Sequence, residues 1–230
     1  MGILGYYGSM IILIPAILLT FYAQMRVKTA YSKYSQVRNS VGVTGAQVAE
    51  SILARNGMAN MPINMIQGNL TDNYNPMNKT LNLSAGVYNS PSIAAIGIAA
   101  HECGHAIQDY TGYKLLKFRN TIVPVVNLGS TLAWPMIIIG LILGATGLQE
   151  FGVILFGLVV VFHLVTLPVE IDASKRGIAL LQDYGFIAND TDNQGAKAVL
   201  GAAAMTYVAA LATAMANLLR MLILTRNSRR

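Results

Sequence analysis

Three stretches of this chain are too long and too uniformly apolar to be ordinary core elements. Residues 3–22 carry no charged side chain, and a helix of that length can cross a bilayer. Tyr6 and Tyr7 at one end, with Phe21 and Tyr22 at the other, suit the two membrane interfaces. Pro15 predicts a kink without an end. No Lys or Arg precedes the run, which fits a cleaved signal peptide poorly. A second apolar region extends from residue 122 to about 165, broken only at 144–150, and reads as two spanning helices joined by a short turn. In an Ala-rich segment at 198–224, Val208, Leu211, Met215, Leu218 and Leu222 recur at spacings of three and four. That is one apolar stripe on a helix. The helix is expected to be membrane-associated, with its crossing left open.

The stretch between the first and second spans has a different texture. Thr44 is placed to cap a helix over 46–56 that stops at Gly57. Ile63, Met65 and Leu70 hint at a strand. Residues 73–76, Asn-Tyr-Asn-Pro, are turn chemistry. Residues 80–84 alternate polar and apolar and predict a short strand. It is open either to pair at an edge with an extended peptide or to close a small sheet of its own. Ser90 with Pro91 marks a helix start, and Ile93, Ile96 and Ile98 lead onward. The expected fold class is therefore a mainly α-helical integral membrane protein, with three or four membrane helices and an α+β domain. Five segments follow: a membrane helix at 1–23, the mixed region at 24–120, a hairpin at 121–167, a helix and loop at 168–197, and an Ala-rich helix with a basic tail at 198–230.

Charge gives this outline an orientation. Only 11% of residues are charged, against 54% hydrophobic, so where the charges stand is informative. Arg26, Lys28, Lys33 and Arg38 follow the first span, and Lys114, Lys117 and Arg119 precede the second, whereas the hairpin turn carries only Glu150. By the positive-inside tendency, segments 24–120 and 168–197 face the cytoplasm. A crossing of the last helix would leave Arg226, Arg229 and Arg230 outside, against that tendency. The formal charge of +6 thus reads as membrane topology. No basic cluster interleaved with aromatics argues for a nucleic-acid partner. The single cysteine, Cys103, excludes an internal disulfide and reads as helix packing.

Candidate chemistry is concentrated in His101-Glu102-Cys103-Gly104-His105, which holds two of the chain's three histidines. Residues i and i+4 share a helix face, so both imidazoles can reach one metal ion, with Glu102 beside the remaining coordination position. That is the arrangement of a zinc hydrolase, in which the carboxylate serves as base. A third protein ligand is needed. A further histidine ten residues after the first is excluded, because Thr111 stands there. His163 lies within a span and reads as a packed histidine. Asp109 shares the face of His105 and could be a ligand or support one. The preferred third ligand is Glu170, where the third span returns to the side of the motif, with Pro168 placed to begin a new helix. Arg176 and Tyr184 are candidates to stabilise an oxyanion. Gly140 and Gly144 form a small-xxx-small pair suited to packing the hairpin on itself.

Residues 72–108, DNYNPMNKTLNLSAGVYNSPSIAAIGIAAHECGHAIQ, resemble the signature of the YugP-type bacterial membrane zinc metallopeptidases. The blocks VGVTGAQVAESILARNGM, LPVEIDASKRG and AAAMTYVAAL are similar to that family too, so the likeness covers nearly the whole chain. A more distant likeness is to the HtpX and CaaX-prenyl protease group of gluzincins, whose third ligand is the glutamate of an E-x-x-A-D helix. Glu170 and Ala173 match that pattern, but Ser174 stands where the aspartate would be, which leaves Asp172 as a candidate supporting residue. The resemblance implies a peptidase of the bacterial plasma membrane. One zinc ion per chain would be held by His101, His105 and Glu170, Glu102 would be the base, and a peptide or membrane-protein segment the substrate. The alternative is a membrane adaptor or quality-control scaffold that keeps a zinc site without cleaving.

Overall fold

A computed structural model describes residues 9–227, and is mainly helical with one small sheet. Tyr6, Tyr7, Arg229 and Arg230 lie outside the described residues. The elements run α1 (Ile14–Tyr34), α2 (Gly45–Arg55), β1 (Ile63–Ile66), β2 (Asn73–Asn75), β3 (Thr80–Ser84), α3 (Ala85–Tyr88), α4 (Ile93–Tyr110), α5 (Lys114–Ile142), α6 (Thr146–Asp183) and α7 (Asp190–Asn227). Among the described residues, four helices are long and apolar enough to cross a membrane: Ser9–Tyr34, α5, α6 and, within α7, Asp190–Arg226. Two compact units form. Among the described residues, one comprises 9–23, Lys117–Pro168 and 206–227, the other Gln24–Leu116 and Val169–Met205.

In the first unit, the proline expected to kink the leading helix follows two turn residues at 12–13. Leu13 N bonds to Met10 O and Ile17 N to Leu13 O, so the regular ladder restarts just where Pro15 lacks a donor. The helix then continues to Tyr34, well past the expected end at 23, because residues 24–33 contain no Gly or Pro to stop it. The interruption expected at 144–150 shrinks to 143–145. Gly144 takes φ +67° in the turn, and Thr146 already opens α6. Gly144 is therefore a turn residue, while Gly140 admits the returning helix: a Cβ there would stand 2.7 Å from Gln149 Cγ, and Gln149 Nε2 donates to the Gly140 carbonyl at 3.0 Å.

On α7, the large residues of the apolar stripe face outward. Val208, Met215 and Leu222 are exposed, while Ala202, Ala209 and Ala214 are buried. Small side chains let helices approach closely, and large apolar ones carry no penalty when they face lipid. The helix also begins earlier than 198. Asn189 Oδ1 accepts from Asp192 N at 2.8 Å, and Asp190 with Asp192 complements the positive end of the helix.

The second unit is built around α4. Fourteen of its eighteen residues are buried, which is the pattern of a helix enclosed on all sides. Its cap is Ser92, whose Oγ accepts from Ala95 N at 3.2 Å, two residues later than the predicted start at Ser90. On α2, Thr44 and Gln47 form a reciprocal capping box. Val48, Ala49, Ile52 and Leu53 make the buried face of that helix and pack into one core with Ile93, Ile96, Ala100 and Cys103.

Strand order is β1-β3-β2, with β1 parallel and β2 antiparallel to β3. Residues 80–84 form the central strand, which of the two alternatives is the one that closes a small sheet of its own. The turn expected at 73–76 is corrected. Asn73–Asn75 forms strand β2, with the turn displaced to 76–79. The alternation that marks a strand does not say how many neighbours it has. Leu81 and Leu83 are completely buried, as a paired central strand requires.

Candidate metal centre

Two histidines of α4 and one glutamate of α6 converge. His101, His105 and Glu170 each offer a ligand atom, and the three atoms lie within 4.8 Å of one another. Glu170 Oε2 stands 3.3 Å from both Nε2 atoms, and the rings meet edge to face at 4.7 Å. All three side chains are well covered, at 13%, 12% and 3% exposure. Glu170 does not sit on a new helix. Pro168 lies inside α6, which runs unbroken from Thr146 to Asp183. Proline is tolerated within such helices where neighbouring groups satisfy the freed carbonyl.

Glycines set the separation of the two helices. A Cβ on Gly104 would stand 2.5 Å from the Ala173 carbonyl oxygen, and one on Gly177 would stand 3.0 Å from the Ala100 backbone and His101 N. Each helix thus offers a bare backbone to the other, α6 at Gly177 against Ala100 and His101, and α4 at Gly104 between the two histidines. The closeness that brings Glu170 to the imidazoles depends on both positions lacking a side chain.

The far ring nitrogens are also engaged. His101 Nδ1 lies 3.0 Å from Ser174 Oγ, and His105 Nδ1 lies 3.0 Å from Gln108 Oε1. Gln108 is fully buried, and its Nε2 donates to the Val169 carbonyl at 2.9 Å and to Asp172 at 2.8 Å. Its Oε1 is therefore the acceptor, which places the His105 proton on Nδ1 and leaves Nε2 facing Glu170. Asp172 in turn accepts from Arg176 Nε at 2.6 Å. Without a metal, burial pulls the His105 pKa down, but the Glu170 hydrogen bond, the charges of Glu102 and Glu170 and the Gln108 bond raise it on balance.

Glu102 is buried next to this cluster, and its Oε2 accepts the Tyr74 backbone N–H at 2.9 Å. Tyr74 O–H donates to Asp109 at 2.6 Å, and Lys79 pairs with the same carboxylate. Burial and then the Asp109 bond and charge push the Tyr74 phenol well above its usual range. Asp109 therefore anchors β2 beside Glu102 and is not among the grouped ligand atoms of the described residues. Asp172 reaches His105 only through Gln108. Arg176 is held by Asp172, and Tyr184 accepts from Asn56 Nδ2 at 3.0 Å beneath Arg55. His163, in the first unit, packs its ring on Phe162 at 5.6 Å. Cys103 is buried against α2, and burial, then the Glu102 charge, pushes its thiol far above the usual value.

Sequence reasoning gave no role to Gln108 or Tyr74, and named Ser174 only as a departure from the E-x-x-A-D pattern. The i+3 and i+4 offsets from His105 and Glu170 could have pointed to Gln108 and Ser174. Nothing local marks Tyr74.

The residues present fit zinc. Two imidazole nitrogens and one carboxylate oxygen are a catalytic donor set, and tetrahedral bonds of about 2.0–2.2 Å put neighbouring donors about 3.3–3.6 Å apart. The observed 3.3 Å from carboxylate to each imidazole lies on that tetrahedral edge.

Membrane-length helices together with a buried two-histidine, one-carboxylate cluster are the parts that a membrane metallopeptidase needs. The chain belongs to the family described as "Putative neutral zinc metallopeptidase", whose profile matches residues 9–226. It is similar to the "Putative membrane protease YugP" of Bacillus subtilis (strain 168), at 44% identity over 216 residues, covering 94% of this chain and 96% of that one. No solved structure matches the chain.

Proposed function

We propose that this chain is a gluzincin-type zinc endopeptidase of the bacterial plasma membrane. It would bind one zinc ion and cut membrane or membrane-proximal proteins at the cytoplasmic face. The convergence of His101, His105 and Glu170 beside Glu102 is the observation that carries this reading. His101, His105 and Glu170 would hold the ion. When bound, zinc supplies Lewis-acid polarisation of a carbonyl and lowers the pKa of water to about 7. Glu102 takes the proton of the attacking water on its carboxylate and returns it to the leaving amine. Because Oε2 is held by Tyr74 N–H, Oε1 is the oxygen free for that transfer. Ser174 and Gln108 keep the two imidazoles turned with Nε2 inward.

Substrate would enter extended. β2 is an edge of the sheet and lies beside Glu102, so a peptide strand added there comes close to the base. The cytoplasmic assignment rests on the basic residues at 26–38 and 114–119 and on Lys175 and Arg176. Arg226, at the far end of α7, runs against the same tendency if that helix crosses, so the segment 24–120 carries the assignment.

Glu102→Gln is the direct test, on the full chain in lipid discs with a membrane-protein digest read by mass spectrometry. Cleavage should fall roughly 10²- to 10⁴-fold while zinc content stays at the parental level. Equal cleavage by both proteins defeats the mechanism. Zinc retained with no cleavage by either would favour the adaptor reading.

A further inference from the structure

A groove of about 330 Å³ runs between α6 and α7 within the second unit, and nothing in the peptidase reading uses it. Its walls are Ile171, Ile178, Ala179, Leu200, Gly201 and Ala204. Two lysines, Lys175 and Lys197, also line it, one from each helix, together with Gln182 and Ser174, and no acidic side chain is among its lining residues. Both lysines are exposed. Gly201 is exposed, and an added Cβ there would meet nothing within 4 Å.

An apolar trough with a positive charge from each side matches an amphiphile that has a hydrocarbon chain and an anionic head. The two helices that form it are both long and apolar enough to span a membrane. Lys175 follows Pro168 by about two turns and Lys197 precedes Thr206 by about two and a half. Each lysine thus stands shortly beyond the apolar run of its own helix, where long cationic side chains commonly meet anionic lipid heads. The volume lies at the lower end for small-molecule sites, which suits one acyl chain and not a folded partner.

We propose that this groove seats an anionic membrane phospholipid, with one acyl chain along Ile171, Leu200 and Ala204 and its phosphate between Lys175 and Lys197. The site goes beyond the peptidase reading and does not depend on it. It does adjoin the metal centre, since Ser174 both lines the groove and contacts His101.

The test uses the full chain in phosphatidylcholine discs carrying a trace of phosphatidylglycerol with a photoreactive acyl chain, with the labelled peptide identified by mass spectrometry. Label should map to 171–182 and 197–204. In Lys175→Gln/Lys197→Gln, labelling at this site should fall roughly 10- to 30-fold, as two lysine–phosphate attractions predict. In Gly201→Leu both charges remain, and a side chain enters open space on a helix that gains propensity by losing glycine. This variant should also lose labelling. Lys33→Gln removes a charge from α1, outside the groove, and should leave labelling unchanged. Zinc content is measured alongside and should be parental in every variant, so a failure here is separable from a failure of the metal centre. Equal labelling by photoreactive phosphatidylcholine, or undiminished labelling in the lysine or Gly201→Leu variants, overturns the proposal.

Discussion

Gly104→Ala probes how the metal centre is assembled. The new Cβ would stand 2.5 Å from the Ala173 carbonyl oxygen and 3.1 Å from its Cα and carbonyl carbon. These are backbone atoms, so no rotamer change can relieve the contact, and α4 and α6 must separate by roughly 0.9 Å to reach an ordinary contact of about 3.4 Å. Glu170 lies one turn before Ala173 on the same helix and is carried with it. Metal sites tolerate departures of about 0.2 Å in ligand distance, so the carboxylate leaves the range in which it can share an ion with both imidazoles. Overpacking costs about 1–3 kcal/mol, while replacing a helical glycine by alanine returns about 1 kcal/mol. The fold should therefore weaken by about 2 kcal/mol at most, whereas zinc affinity should fall at least as far as on losing a supporting hydrogen bond, about 10- to 100-fold. The assay is chelator competition on protein in lipid discs, with helical content followed by circular dichroism. Gly201→Ala, which adds a Cβ in open space, is the control and should bind zinc like the parent. Parental zinc affinity in a fully helical Gly104→Ala protein would refute the idea that backbone contact between these helices sets the position of Glu170.

Four further outcomes follow from the same contacts. Ser174→Ala removes the partner of His101 Nδ1 and should weaken zinc about 10- to 100-fold with little change in melting temperature. Gln108→Leu should do the same to His105 and also cost about 1–3 kcal/mol of stability, because Asp172 and the Val169 carbonyl lose a buried donor; chemical denaturation measures it. Cys103, buried with its thiol pushed far up, should resist alkylation in the folded chain and react only on unfolding, and rapid labelling of native protein would contradict this. Burial, outweighing the bonds from Ser84, holds the Asp72 carboxyl above its ordinary range. Its contribution to stability is then complete below its unfolded pKa of about 3.9 and lost as pH rises through the higher folded value. Asp72→Asn should accordingly melt higher than the parent at neutral pH and alike in acid, and a gap that widens toward acid would reverse the argument.

The helices and the motif were legible because their signals are local. Residues 3–22 and 122–165 are apolar over lengths that only spanning helices need. Thr44 and Gln47 cap α2 within one turn, and His101 and His105 share a face by helical periodicity alone. Where a signal depends on neighbours from elsewhere in the chain, the expectations slipped or stayed open. Alternation over 80–84 marks a strand without saying that both edges are paired. Pro168 reads as a break because the sequence does not reveal which neighbours satisfy the freed carbonyl. The stripe on α7 identifies a helix face, but which face packs depends on whether lipid or protein lies opposite.

Sequence alone determined that apolar helices long enough for a bilayer accompany a two-histidine helix with an adjacent carboxylate. It also marked Glu170 as the acid to consider, since that residue follows directly on an apolar run. Tertiary structure decided how these parts meet. Gly104 and Gly177 let two helices touch backbone to backbone, Ser174 and Gln108 turn the imidazoles, and Tyr74, distant in sequence, holds Glu102 by a main-chain donor. The physical reason is range. Periodicity, capping and hydropathy act within a few turns of chain, whereas a metal site is a matter of ångströms between segments separated by dozens of residues, and only packing sets those.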